Sequence, residues 1–88
     1  MEVIYERTFY KDLSKLSDNN INTRIIALLE LLKKSEDISK LPSIKIITGY
    51  SDYYRIRIGD YRLGIKYNNH QITLIRFLHR KEIYRTFP

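Results

Sequence analysis

The chain has no cysteine among its 88 residues and only two histidines. The first absence excludes disulfides, thiolate metal sites and a cysteine nucleophile. Two histidines are too few for a zinc site of the usual kind, so neither a metal nor a cofactor is expected. The longest apolar stretch, Ile25–Leu29 with Leu31 and Leu32 beyond Glu30, falls far short of the roughly 20 residues that cross a bilayer. No basic start followed by an apolar run opens the chain, so export by a cleaved leader is not expected. No repeat, linker or low-complexity segment divides it, and the length suits one small domain over residues 1–88. With 43% hydrophobic and 30% charged residues the balance is globular, which predicts a soluble, cytoplasmic domain with a modest core.

What the chain does have is positive charge in one place. Residues 1–44 carry seven basic and seven acidic side chains, whereas residues 45–88 carry nine basic ones against Asp52, Asp60 and Glu82. The whole net charge of +6 therefore lies in the second half, and six of its nine cations are arginine. The planar guanidinium fork matches phosphate oxygens, so a polyanion such as nucleic acid, or an acidic protein segment, is the natural partner.

Hydrophobic spacing orders the elements. Val3-Ile4-Tyr5 reads as a strand. Thr8 is placed to cap a short helix in which Phe9, Leu13 and Leu16 recur at helical period. Ser17-Asp18-Asn19-Asn20 is a turn and supplies a cap for a second helix, where Ile21, Ile25, Leu28, Leu29 and Leu32 make one apolar stripe up to about Lys34. Leu41-Pro42-Ser43 ends that pattern. Strands follow at 44–48, 53–58, 61–67 and 72–78, with turns at Gly59-Asp60 and Asn68-Asn69-His70. The tail, 79–88, suits a short helix or an ordered coil. The prediction is an α+β fold: a strand, a helical hairpin packed on one face, then an antiparallel meander.

The Gly59-Asp60 hairpin carries the functional signal. Alternation puts Tyr54, Ile56 and Ile58 on the core face with Tyr61, Leu63, Ile65 and Tyr67. Tyr53, Arg55, Arg57, Arg62, Gly64 and Lys66 face the other way. A two-residue turn sets Arg57 opposite Arg62 and Arg55 opposite Gly64. Two arginines directly across a strand pair repel at a cost of a few tenths to about 1 kcal/mol. A phosphate bound between them reverses that sign. Gly64 is expected to leave an open floor beside Arg55. His79, Arg80, Lys81 and Tyr84 follow the last strand and are expected to close one edge of the patch.

Tyr54-Arg55-Ile56-Arg57-Ile58-Gly59-Asp60-Tyr61-Arg62-Leu63, followed by His79-Arg80-Lys81-Glu82-Ile83-Tyr84, resembles the RelE/ParE superfamily of bacterial toxins, the toxin halves of type II toxin–antitoxin pairs. The resemblance extends over nearly the whole chain. It implies a small α+β domain in the order β-α-α-β-β-β. Its RelE branch implies a metal-independent endoribonuclease that cuts mRNA, usually in the ribosomal A site, by attack of a 2′-hydroxyl on the adjacent phosphate. On that resemblance Arg55 and Arg57 fall where RelE has basic residues, Arg62 matches a transition-state arginine, Arg80 an arginine near the leaving group, and Tyr84 a tyrosine that stacks on or orients the substrate. Lys45, Tyr53, Lys66, Arg76, Lys81 and Arg85 are expected to extend the RNA-binding surface.

One departure matters. RelE carries lysines where this chain has Arg55 and Arg57, and an arginine stays protonated at any working pH. The general base is then His79, Tyr84 or Glu82, or catalysis rests on electrostatics and in-line positioning alone. The alternatives to a nuclease are a ParE-like toxin that inhibits DNA gyrase, whose tail does not usually keep such a tyrosine, and an inactive basic binding module. Either toxin reading implies a cognate antitoxin protein as partner. No helix suited to reading DNA is visible, so no sequence-specific DNA contact is expected, nor any contact with a membrane.

Overall fold

In the computed structural model, which describes residues 1–88, the chain runs through β1 (Glu2–Tyr5), α1 (Arg7–Ser14), α2 (Asn19–Lys34), a 3₁₀ turn (Ile38–Lys40), β2 (Ile44–Ile46), β3 (Tyr53–Ile58), β4 (Tyr61–Asn68), β5 (Gln71–His79) and α3 (Arg80–Thr86). One five-stranded sheet has the order β1-β5-β4-β3-β2. The pair β1–β5 is parallel and every other pair antiparallel. The α+β architecture is the expected one, with the meander four strands long and closed by a helix.

Turn chemistry fixes the registers. Gly59 takes φ +60°, and the two-residue turn sets Ile58 opposite Tyr61, Arg57 opposite Arg62 and Arg55 opposite Gly64, as the alternation predicts. Asn69 and His70 both take positive φ, +49° and +58°, the mirror-image turn whose twist suits a hairpin. Helix α2 starts where Asp18 accepts hydrogen bonds from the amides of Asn20 and Ile21. Its Ile21, Ile25, Leu28 and Leu32 bury one stripe in a core shared with Ile56, Ile58, Leu63, Ile65, Ile72 and Leu74. Tyr54, Tyr61 and Tyr67 pack against that core from the same sheet face.

Helix α1 departs from expectation. It begins at Arg7 after Glu6, which makes no side-chain cap bond, and Thr8 caps nothing. Strand β1 pairs with β5 only as far as Tyr5 opposite Leu74, so β5 beyond that point has an open edge. Helix α1 fills it. Thr8 Oγ1 donates to the Ile75 carbonyl at 2.6 Å, and one turn later Asp12 Oδ2 accepts the Phe77 amide at 2.9 Å. Two side chains at i and i+4 thus stand in for a missing strand.

The same stretch of β5 holds a β-bulge. The register jumps from Gly64–Arg76 to Ile65–Leu74, leaving Ile75 as an extra residue. Residues after the bulge change faces: Phe77 joins the main core, while Ile75 and Leu78 pack on the opposite side. There they meet α3, whose Ile83, with Phe87 and Ile47, forms a second, smaller core. The helical hairpin and α3 therefore cover opposite faces of the sheet. The open floor expected at Gly64 is absent, because the Phe87 ring occupies it. A Cβ built on Gly64 lies 2.7–2.8 Å from three Phe87 ring atoms. Gly64→Ala is expected to lower stability by about 1–3 kcal/mol, the usual cost of overpacking, as a fall in thermal midpoint.

Candidate functional site: an arginine-lined cleft

A cleft of about 450 Å³ opens between β2, the arginine face of β3–β4, and α3, lined by Ser43, Ile44, Lys45, Ile46, Arg55, Arg57, Arg62 and Tyr84. Strand register builds its floor: Lys45 stands opposite Arg55, and Arg57 opposite Arg62. Helix α3 supplies the wall, because burying Ile83 and Phe87 leaves Tyr84 facing outward, 56% exposed. The Arg55 guanidinium lies over the Tyr84 ring, 4.8 Å from its centroid, a cation–π contact that holds both side chains in place.

No carboxylate lines the cleft. The one side-chain ion pair in the structure, Arg76–Asp12, lies elsewhere. Arg62 donates from Nη1 to the carbonyls of Gly59 and Tyr61, both at 2.9 Å, so it is anchored to the hairpin turn. Arg57 is exposed and makes no side-chain hydrogen bond or ion pair. Three guanidiniums and an amine without counter-charge form an arrangement that an anion stabilises.

Of the residues singled out in the sequence, Arg55, Arg57, Arg62, Tyr84 and Lys45 come together here. His79 does not. Its ring packs edge-on against Tyr61 at 5.6 Å, and its Nδ1 accepts the Lys81 amide at the start of α3. It lines a separate recess with Asp12, Arg76 and Glu82. Arg80, Lys81 and Arg85 are exposed on α3 and do not line the cleft. Tyr53 and Lys66 stand on the same sheet face, farther along β3–β4. Arg76, assigned to RNA binding from its charge, is bound to Asp12 through Nε at 2.8 Å and Nη2 at 3.1 Å, and these hydrogen bonds push its pKa further up.

Known proteins match the chain over nearly its whole length. A family model described as the ParE toxin of the type II toxin–antitoxin system parDE matches residues 3–84. Toxin RelE3 of Methanocaldococcus jannaschii is 44% identical over 89 residues, covering the whole of both chains. The chain belongs to the RelE/ParE family of type II toxins. Among solved structures, the RelB–RelE antitoxin–toxin complex from Methanococcus jannaschii contains a chain 42% identical to this toxin, with a TM-score of 0.83, 97% of this chain covered and 99% of that one. The archaeal RelE–RelB complex from Pyrococcus horikoshii OT3 shares the fold at 21% identity, with a TM-score of 0.73 over 92% of this chain and 96% of that one.

Three members of this toxin's cleft had no signal of their own in the sequence. Ser43, Ile44 and Ile46 line it only because β2 is the outermost strand beside β3. The Ile-rich run at 44–48 marks a strand, but nothing local says which neighbour it takes. Ile46, 72% exposed, is the clearest trace of that edge position.

Proposed function

We propose that this toxin is an mRNA endoribonuclease acting on the ribosome, and that the cleft is its active site. The observation that carries the reading is the convergence of three arginines, Lys45 and an exposed tyrosine face in one carboxylate-free cleft. The 2′-hydroxyl attacks the adjacent phosphorus, the 2′-O–P bond forms, and the P–O5′ bond breaks to give a 2′,3′-cyclic phosphate and a 5′-hydroxyl. Negative charge grows on the phosphoryl oxygens during this step, and guanidiniums aimed there stabilise it without a metal. The open face of Tyr84 suits stacking of an unpaired base. Because His79 and Glu82 lie in the other recess, proton transfer is left to Lys45 and Tyr84. His79→Asn, which keeps a capping side chain, is expected to fall well short of the roughly 100-fold loss that follows removal of a general acid or base.

The partner is a cognate antitoxin with an acidic segment that covers the cleft, binding faster at low salt through steering by the cationic face. Gyrase inhibition is the second reading, favoured by the match to a ParE family model. Programmed ribosomes carrying a defined mRNA separate the two. Cuts at A-site codons, mapped by primer extension and lost in Arg57→Gln, support the nuclease. No cuts on ribosomes or naked RNA, with supercoiling by gyrase inhibited instead, would move the protein to the second reading.

A further inference from the structure

The sheet face that holds the cleft carries a second group of side chains beyond the cleft lining, two of them aromatic. Along β3, Arg57, Arg55 and Tyr53 alternate onto this face, so Tyr53 stands one strand repeat beyond Arg55, about 6–7 Å. Its ring is wedged edge-on against Phe87 at 5.8 Å, which ties it to the small core under α3. Tyr50, from the loop between β2 and β3, stands perpendicular to Tyr53, with ring centroids 6.5 Å apart. Lys66, opposite Tyr53 in register, holds its ammonium 5.7 Å from the Tyr53 ring centroid.

Two features set Tyr50 apart from a packing tyrosine. Its side chain is on the surface, 53% exposed, and its one aromatic contact is with Tyr53. Yet its backbone is fixed, because the Tyr50 amide donates to the Ile47 carbonyl and the Ile47 amide to the Tyr53 carbonyl, with Ile47 buried. A tyrosine ring on a fixed backbone, half exposed, offers apolar area whose covering is favourable. The same sheet face carries Lys45, Arg55, Arg57 and Lys66, with Asp52 the one acid of the loop. A covering group that is flat, apolar on its faces and attached to an anionic chain satisfies both demands.

We propose that Tyr50, braced by Tyr53 and flanked by Lys66, is a stacking platform for one unpaired nucleobase of an RNA strand. The strand's neighbouring phosphates lie on Lys66 and on Arg55. This rests on the ribonuclease reading and extends its site to a nucleotide beyond the cleaved bond. Stacking is indifferent to which base is present, because every base has a π-face.

The test uses the purified toxin and a short single-stranded RNA made uncleavable by one 2′-deoxy nucleotide, with binding read by fluorescence anisotropy. Companion oligonucleotides each carry one abasic position. Tyr50→Ala is expected to weaken binding of the intact RNA by about 5- to 100-fold, the usual worth of one stacked base, and to leave the thermal midpoint unchanged. With the abasic site at one particular position, toxin with Tyr50 and toxin with Tyr50→Ala should bind alike. Arg57→Gln, in contrast, should weaken every oligonucleotide to the same extent. Undiminished binding by Tyr50→Ala, or a loss of the same size on every abasic RNA, overturns the platform while the ribonuclease reading stands. Absence of free-RNA binding by the unaltered toxin likewise overturns the platform, while the ribonuclease reading is decided separately by cleavage on programmed ribosomes.

Discussion

Asp12→Ala is expected to destabilise the fold by about 3 kcal/mol and to lower the thermal midpoint by roughly 10–25 °C, although residue 12 lies outside the cleft. The carboxylate side chain is 4% exposed and serves three donors: Arg76 Nε, Arg76 Nη2 and the Phe77 amide. Alanine leaves all three without a partner. Arg76, 28% exposed, swings toward water at modest cost, but the Phe77 amide sits on a strand edge that α1 covers. A buried donor left unpaired costs about 1–3 kcal/mol, and loss of the charge pair adds to it. A domain of this size has only some 5–10 kcal/mol to lose. Differential scanning calorimetry of Asp12→Ala beside Arg76→Met checks the origin. Arg76→Met strands the carboxylate with one bond left, so it should also destabilise, whereas a near-silent Asp12→Ala would mean that α1 does not hold this edge.

Arg57→Gln should push stability and activity in opposite directions. The guanidinium has no partner in the fold and stands directly across from Arg62, so its removal relieves a like-charge pair and should raise stability by a few tenths to about 1 kcal/mol. Cleavage, under the proposed function, should fall about 100- to 1,000-fold, the measured range for one transition-state donor. The slope of log affinity for single-stranded RNA against log salt should shrink by about 0.7, the share of one phosphate contact. Arg62 is a poorer probe, because its bonds to Gly59 and Tyr61 mix turn stability with catalysis. Thermal melts and single-turnover cleavage on the same preparation decide it. A destabilised Arg57→Gln that still cleaves would remove Arg57 from the site.

The parts of this structure that sequence makes legible are those set by local rules. Alternation and the Gly59-Asp60 turn give the β3–β4 register, hence the Arg57–Arg62 and Arg55–Gly64 pairs and much of the cleft floor. What escapes is decided by residues far apart. The run Ile72–Leu78 is apolar on both faces, so nothing in it marks Ile75 as the extra residue of a bulge. Strict alternation along β5 would have set His79 on the arginine face, and that one residue is what carries it to Tyr61 instead. Asp12 and Arg76 are 64 positions apart, and neither charge carries a sign of the other. Phe87 sits in a polar tail, and its fit against Gly64 depends on how α3 crosses the sheet.

The parallel pairing of β1 with β5 has a consequence for how the molecule comes into being. Glu2 meets Gln71, so the first strand made waits for the last before it has a partner. Closing so long a loop is slow, because its entropy is lost before any contact is gained. During synthesis β1 stays unpaired until Gln71 and the residues after it have been made, and α3, which carries Tyr84, follows later still. The cleft therefore gains its tyrosine wall only once α3 is free to fold, later than every strand that frames it.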